Sequence, residues 1–294
     1  MIEGESILRQ YRSAIVNITN RCTLRCKHCF VYRQANPNNP RNEMDTPTML
    51  KELSRLQYQY GINSMLWMGG EPLLRPDVLI EGTKLFSTNT ITTNGTLDLL
   101  ELPKCNYVVS IDGSPEVNDS IRGKGSFQRI MKTLSRIPHD FEARVICQCV
   151  VTRRNEDLLE DLVRCLESTR VDGLTFSFYV PTKNDKSEFT WGSLERRDIA
   201  VREVIRLKTA YPHIIRNKRR SLELMLAENA MSVTNHCQPK KYILPLYLEG
   251  NKFVTPYCCY GNDVDCDLCG AWIVFHLAAR SEETRFHDIN LDDA

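Results

Sequence analysis

The sequence predicts an α/β fold: a partial (β/α)6 barrel followed by a small hairpin-containing, cysteine-rich domain. Three observations carry this expectation. Six short runs rich in β-branched and aromatic residues alternate with amphipathic helical stretches between residues 14 and 180. Four of those runs end in polar or glycine-rich punctuation, and the pattern changes after Pro181. Six units are fewer than the eight that close a full barrel, so an open sheet is expected, with its chemistry at the carboxyl ends of the strands.

The elements follow in order. AIVNIT (14–19) is read as the first strand, running into RCTLRCKHCF. Thr46 then supplies an N-cap with Pro47 at the first helical position, and Met49, Leu50, Leu53, Leu56 and Tyr60 share one face before Gly61 stops the helix. INSMLWM (62–68) is the second strand and ends in GGEP; NTITTNG, YVVSIDG, FEARVICQCVVT and GLTFSFYV are the third to sixth. Helical candidates lie between them near 77–86, 127–136 and 155–169. NPNNPRN (36–42) reads as a polar loop, and no repeat or low-complexity tract is present. Beyond Pro181, charged helical stretches near 193–209 and 219–230 lead to YILPLYLEGNKFVTPYCC, two strands joined by a Glu249-Gly250-Asn251 turn. The expected organisation is an extension over 1–13, the barrel and following helices over 14–230, and the cysteine-rich domain over 231–294.

Composition narrows the function. In 294 residues, 38 Lys and Arg stand against 37 Asp and Glu, a net charge of +1 that offers no field for a phosphate backbone or an anionic membrane. The early apolar run Ala14–Ile18 is short and broken by Asn17, which fits neither a signal peptide nor a membrane span. A cytoplasmic protein with no nucleic-acid or membrane partner is expected. Twelve cysteines are then anomalous, because a reducing compartment does not sustain a disulfide framework. Cys105, Cys147, Cys149 and Cys165 sit in apolar segments and read as core. The other eight form two groups, Cys22, Cys26 and Cys29 at the front and Cys237, Cys258, Cys259, Cys266 and Cys269 near the end.

The front group has the spacing C-x3-C-x2-C, three soft thiolates able to wrap one inorganic cluster with one metal position left open. A zinc site would need a fourth ligand, for which His28 is poorly placed between Lys27 and Cys29. The motifs downstream are each an ordinary turn signal when taken alone. Their order and spacing, over roughly residues 14–180, resemble the radical S-adenosylmethionine (radical SAM) enzymes. The family's C-x3-C-x-φ-C corresponds to Cys22, Cys26, His28 and Cys29, and its GGEP to Gly69, Gly70, Glu71 and Pro72. Its TNG corresponds to Thr93, Asn94 and Gly95, its SxDG to Ser110, Asp112 and Gly113, and its RG before a helix to Arg122, Gly123 and Phe127.

The resemblance implies that the three cysteines hold a four-iron, four-sulfur cluster whose open iron chelates S-adenosylmethionine. One-electron cleavage then releases a 5′-deoxyadenosyl radical that abstracts hydrogen from an unactivated carbon. It further implies that Gly69, Gly70, Glu71 and Pro72 meet the methionine amino group, that Asn94, Ser110 and Asp112 serve the ribose hydroxyls and the ammonium group, and that His28 packs near the adenine. Thr152 and Asn155 stand where members with extra clusters carry VVTxxN and join the cofactor-binding set. The fifth strand departs from the family in lacking a glycine-rich adenine motif.

The five later cysteines exceed by one what a closed four-iron cluster needs, and Cys266-x2-Cys269 is a metal knuckle. The layout resembles the twitch domain, a shortened SPASM domain with a second, auxiliary four-iron, four-sulfur cluster; a structural zinc ribbon would use the same ligands. The surplus thiol, Cys258 or Cys259, is a candidate hydrogen-atom donor, since neighbours on an extended chain point opposite ways; a buried core cysteine is the plain alternative. Quenching by that thiol would epimerise a sugar, cyclitol or peptide stereocentre, whereas electron loss to the auxiliary cluster would give a two-electron oxidation. A peptide (RiPP) crosslinking maturase is a third outcome, although the short stretch before the first strand is expected to hold no leader-binding domain. A non-catalytic iron-sulfur or zinc scaffold is the non-enzyme alternative, and it has no need of GGEP, TNG and SIDG at successive strand ends. The expected partners are a small-molecule or peptide substrate, with Tyr179, Trp191, Tyr257 and Tyr260 as candidate contacts, and an electron donor such as flavodoxin or ferredoxin.

Overall fold

A computed structural model describes residues 11–32 and 43–292, with side chains through residue 284. The polar loop expected at 36–42 and most of the 1–13 extension lie outside these residues. Among the described residues the strands are β1 (Ser13–Asn17), β2 (Ser64–Met68), β3 (Thr88–Thr93), β4 (Cys105–Ser110), β5 (Val145–Val151), β6 (Gly173–Phe178), β7 (Ile243–Glu249) and β8 (Lys252–Val254). The helices are α1 (Thr46–Tyr60), α2 (Pro76–Gly82), α3 (Pro115–Arg122), α4 (Ser126–Ser135), α5 (Leu159–Glu167), α6 (Leu194–Ala210), α7 (Arg219–Glu223), α8 (Ala227–Asn235), α9 (Pro239–Tyr242) and α10 (Trp272–Asp292). The fold is α/β with mostly parallel strands whose pairings form an open series, as the alternation predicts. No helix among the described residues is long and apolar enough to cross a membrane.

The chain forms two compact units. One comprises Met1–Ser110, Gln128–Val145 and Lys240–Asn262; the other comprises Ile111–Phe127, Ile146–Pro239 and Asp263–Ala294. In the first, the strand order is β4-β3-β2-β1-β7-β8. Neighbours are parallel except β8, which turns back antiparallel on β7 through Gly250 at φ 60°. β1 is therefore an inner strand, paired Val16 to Trp67 on one side and Val16 to Leu246 on the other, and Ala14–Asn17 are all buried. A parallel strand covered on both faces needs such a continuous apolar run.

Helix α1 starts one residue earlier than the Thr46-Pro47 signal suggests. Asp45 is the N-cap, its carboxylate accepting from Thr48 N at 2.8 Å, and Gly61 ends the helix at φ 65°. Met49, Leu53 and Leu56 are buried, whereas Leu50 and Tyr60 lie at the margin. Behind β2, Trp67 is fully buried with its indole N–H on Asn89 Oδ1 at 2.9 Å, and a methyl group on Gly82 would come within 2.5 Å of its ring. That glycine permits α2 to close on the sheet.

In the second unit β5 and β6 are parallel, Ile146 opposite Gly173 through Val151 opposite Phe178, and β6 is buried along its whole length. The helix expected over 219–230 is broken into α7 and α8. Three helices escape the sequence reading: α3, α10 and the four-residue α9. α3 carries the Pro115 start signal within a segment too short to show a period, and α10 has apolar residues on all sides rather than along one stripe.

Candidate functional site

The front cysteines occupy the loop that continues β1, and each is half-buried. The backbone leading into the loop is fastened to the end of β2: Gly70 N donates to Thr19 O at 2.8 Å and Glu71 N to Arg21 O at 2.8 Å. Both glycines of GGEP are required by this approach. A Cβ on Gly69, at φ 151°, would lie 2.6 Å from Thr19 O, and one on Gly70 would lie 2.2 Å from Arg21 O and from the Tyr32 hydroxyl. The glycines admit the backbone of the cysteine loop to this strand end.

Glu71 is buried and joins two motifs that the sequence presents separately. Its Oε1 accepts from Thr93 Oγ1 at 2.8 Å and Leu73 N at 3.1 Å, and its Oε2 accepts from Asn94 N at 2.8 Å. Burial pushes its carboxyl above the usual range, opposed by those three hydrogen bonds. Pro72 is buried behind it, Ser110 is half-buried as the last residue of β4, and His28 is half-buried within the cysteine loop.

The loop is held from further sides. Glu43, with its side chain 8 % exposed, accepts from Thr19 Oγ1 at 2.9 Å and from Asn20 N at 2.5 Å, and lies 3.6 Å from Arg21 Nε. Tyr32 donates to Asn20 O at 2.7 Å. Burial, with the neighbouring Cys22 and Cys29 sulfurs, pushes its phenol well above the ordinary value. Asn20 Nδ2 donates to Leu248 O of β7 at 2.9 Å, and Met44 N donates to Gly250 O at the hairpin turn at 3.1 Å. The Phe30 and Tyr260 rings lie 4.8 Å apart. The C-terminal hairpin is therefore built onto the front loop. None of Thr19, Asn20, Tyr32 or Glu43 belongs to a motif, and their polar types within or beside apolar runs are the only sequence trace of this role.

Cys22 Sγ accepts from Leu24 N at 3.4 Å and from Asn94 Nδ2 at 3.5 Å. Burial pushes this thiol up, Glu71 and Cys29 adding to the effect and the two N–H groups opposing it. Soft thiols in one loop, with N–H groups directed at sulfur, fit an iron-sulfur cluster, which takes one cysteine per iron. Among the described residues no three His, Cys, Asp or Glu side chains converge as ligands of a single ion do.

In the second unit Asp112 is fully buried. Its Oδ2 lies 2.7 Å from Arg122 Nε, Oδ1 accepts from Val150 N at 3.0 Å, and its carbonyl accepts from Asn155 Nδ2 at 2.8 Å. Thr152 donates to Asn155 Oδ1 through N at 2.7 Å and through Oγ1 at 3.0 Å, and both residues are buried. These three side chains, expected to reach a cofactor, are occupied in bracing strand ends. Trp191 donates to the buried Glu156 at 2.6 Å, and Tyr179 packs with Ile121 and Phe189, so both are structural.

Cys237 follows α8, and Cys266 and Cys269 form a turn closed by Cys269 N on Cys266 O at 3.3 Å. The carbonyls of Leu268 and Cys269 accept from the buried Arg197 at 3.3 and 2.9 Å, a support with no signal in the sequence. Cys258 and Cys259 belong to the first unit. They lie beyond β8 in a turn closed by Gly261 N on Cys258 O at 2.9 Å, not on the extended chain that the alternation argument assumed. Cys258 is half-buried, whereas Cys259 is buried with its carbonyl accepting from Tyr247 Oη at 2.8 Å. Tyr257 is 64 % exposed beneath Lys240. Cys105, Cys147 and Cys149 are buried as expected of core, and Cys165 is only half-buried.

The chain is similar to several known proteins. The chain is 30% identical over 198 residues to molybdenum cofactor biosynthesis protein 1 of Mus musculus, covering 63% of this chain and 31% of that protein. It is 33% identical over 156 residues to mycofactocin maturase MftC of Mycobacterium tuberculosis, covering 49% of this chain and 39% of the relative. It therefore spans well under half the length of either. Among solved structures, Streptococcus suis SuiB bound to precursor peptide SuiA aligns with a TM-score of 0.66 at 18% identity, over 92% of this chain and 65% of that one. Native anSMEcpe with bound AdoMet aligns at 0.65 and 17% identity, over 90% and 80%. At such identities these two establish the fold. The radical SAM superfamily itself matches residues 16–182. Because that match runs from the first strand through the sixth and takes in more than half of the chain, the chain belongs to the radical SAM superfamily.

Proposed function

We propose that this radical SAM enzyme holds a four-iron, four-sulfur cluster on Cys22, Cys26 and Cys29 and acts on an unactivated carbon of a peptide or of a small molecule such as a sugar or cyclitol, ending in epimerisation or two-electron oxidation. The observation that carries the reading is the cysteine loop fastened by backbone hydrogen bonds to the GGEP strand end. When bound, the cluster and S-adenosylmethionine supply reductive carbon–sulfur cleavage and hydrogen-atom abstraction. Gly69, Gly70 and Pro72 offer backbone at the strand end, and His28 and Ser110 offer half-buried side chains. Glu71 and Asn94 act by holding the loop in place. In the second unit Asp112 holds Val150 N, Asn155 holds the Asp112 carbonyl, and Thr152 is held by Asn155.

Epimerisation is supported by Cys258, a half-buried thiol in the segment that carries Tyr260 against Phe30 of the cysteine loop. A second cluster on the Cys266-x2-Cys269 knuckle, with Cys237, is supported by spacing and by the buried brace that Arg197 gives that turn. In it the two-electron outcome has an electron acceptor. A small electron carrier of the flavodoxin or ferredoxin kind is the proposed reductant. The test is anaerobic: protein reconstituted with iron and sulfide is reduced in the presence of S-adenosylmethionine, and 5′-deoxyadenosine is measured by mass spectrometry. Formation is expected with the parent and not with a Cys22→Ala/Cys26→Ala/Cys29→Ala variant. Equal yields from the two would reject the reading.

A further inference from the structure

Asn94 stands in a strand-end motif, where the sequence points it at a bound cofactor, yet its side chain has no hydrogen-bonding capacity left to offer one. Its Oδ1 accepts from Thr96 N at 3.0 Å and from Thr96 Oγ1 at 2.7 Å. Its Nδ2 donates to Thr23 Oγ1 at 2.9 Å and to Cys22 Sγ at 3.5 Å. A primary amide has two acceptor lone pairs and two N–H groups, and all four are engaged. The orientation is fixed as well, because Thr96 N is an obligate donor, so the oxygen must face it and the nitrogen must face the sulfur. Asn94 is 8 % exposed, and its own backbone N–H is held by the buried Glu71 at 2.8 Å. The residue is thus anchored at three points with one N–H directed at a single cysteine sulfur.

We propose that Asn94 is a positioning residue that sets the reduction potential of the cluster at Cys22 through an N–H···S hydrogen bond. The proposal rests on the reading of Cys22 as a cluster ligand. The physical reason is charge. One electron from the external reductant adds one unit of negative charge to the thiolate-held cluster, and part of it resides on the cysteine sulfurs. An N–H aimed at sulfur stabilises that added charge more than it stabilises the oxidised form, so it raises the potential. Leu24 N, at 3.4 Å from the same sulfur, acts in the same sense. Asn94 differs in being supplied by the far strand β3, so the bond also ties Cys22 and Thr23 to the GGEP–TNG junction.

The test uses reconstituted full-length protein labelled with 15N-asparagine and reduced anaerobically. Pulsed EPR of the reduced cluster is expected to show a 15N coupling that disappears in Asn94→Ala. In a redox titration, Asn94→Ala is expected to lower the reduced-to-oxidised ratio at fixed poise by about tenfold, equivalent to 59 mV for a one-electron couple. Thr96→Val, which loosens the same turn but keeps the amide on the sulfur, is expected to leave the potential unchanged. A reduced cluster without 15N coupling in the parent overturns the proposal without recourse to any variant, and so does a Thr96→Val shift equal to that of Asn94→Ala. A parent that binds no iron and gives no EPR signal overturns the cluster reading beneath it as well, and iron content separates the two failures.

Discussion

The Asp112–Arg122 pair allows the bracing role of the strand-end motifs to be measured. The Asp112 side chain is 0 % exposed and that of Arg122 7 %, and Nε lies 2.7 Å from Oδ2. At that separation and an effective dielectric constant of about 20, the attraction is about 6 kcal/mol. Desolvation of two ions offsets much of this, so the pair itself adds little net stability. Removing one partner is different, because the other charge remains buried. Arg122→Met keeps the length of the side chain but leaves the buried carboxylate without its guanidinium partner, and is expected to cost about 3–5 kcal/mol. Asp112→Asn keeps an oxygen for Val150 N but turns an amide N–H toward the guanidinium, and a loss of about 3 kcal/mol or more is expected. The double variant carries no buried charge at this place and is expected within about 1 kcal/mol of the parent. Urea denaturation followed by circular dichroism reads all four proteins, with the slope checked for constancy. Single variants within about 1 kcal/mol of the parent, or a double variant whose loss equals the sum of the singles, would refute the argument.

Other tests follow from the same geometry. Gly70→Ala places a methyl group 2.2 Å from Arg21 O, which is itself pinned by Glu71 N, so a loss of about 2 kcal/mol or more and reduced iron per chain are expected in thermal melts and iron assays. Burial pushes the Cys147 thiol up to about 12 and the Cys105 thiol up to about 11, so in native protein near neutral pH neither is expected to react with iodoacetamide until urea is added. Peptide mapping that finds Cys147 alkylated in the native state as fast as in urea would contradict this. Arg206, then the Tyr211 hydroxyl, then Arg164 hold the Glu160 carboxyl down to about 2. A carboxyl lowered in the folded state contributes stability above its ordinary pKa of about 4.3, and loses it as pH falls through the lowered value. Glu160→Gln should therefore reduce the acid sensitivity of the urea midpoint between pH 5 and pH 2, and an unchanged pH slope would count against the network.

The strands and the front cysteine loop were legible because their signals are local. Ala14–Ile18, the cysteine spacing and the glycines of GGEP and SIDG each act through a few consecutive residues, and the expected strands agree with those found to within a few positions. Less legible was the work that the motif side chains do. GGEP and TNG meet through Glu71, and SIDG and RG meet through Asp112 and Arg122, so residues that look directed at a ligand are spent on one another. A sequence shows which groups are polar and not which ones satisfy them, since Glu71 meets Thr93 from 22 residues away and Asp112 meets Arg122 across the length of α3. Asp45 replaced Thr46 as the cap of α1 for a related reason: both residues suit an N-cap, and it is Asp45 whose backbone is extended and whose carboxylate meets Thr48 N.

By itself the sequence determined the family, because three thiols at C-x3-C-x2-C and four strand-end motifs in order are a statement about local spacing that survives any packing. Only the tertiary structure decided that β7 lies beside β1, so that the hairpin some two hundred residues on is hydrogen-bonded through Leu248 and Gly250 to the segment around the first cysteines. It also decided which of the polar residues hold that loop. Both are long-range outcomes of burying an inner parallel strand on two edges and of pairing the backbone and side-chain polar groups of the loop that follows it, and neither leaves a period or a motif in the chain.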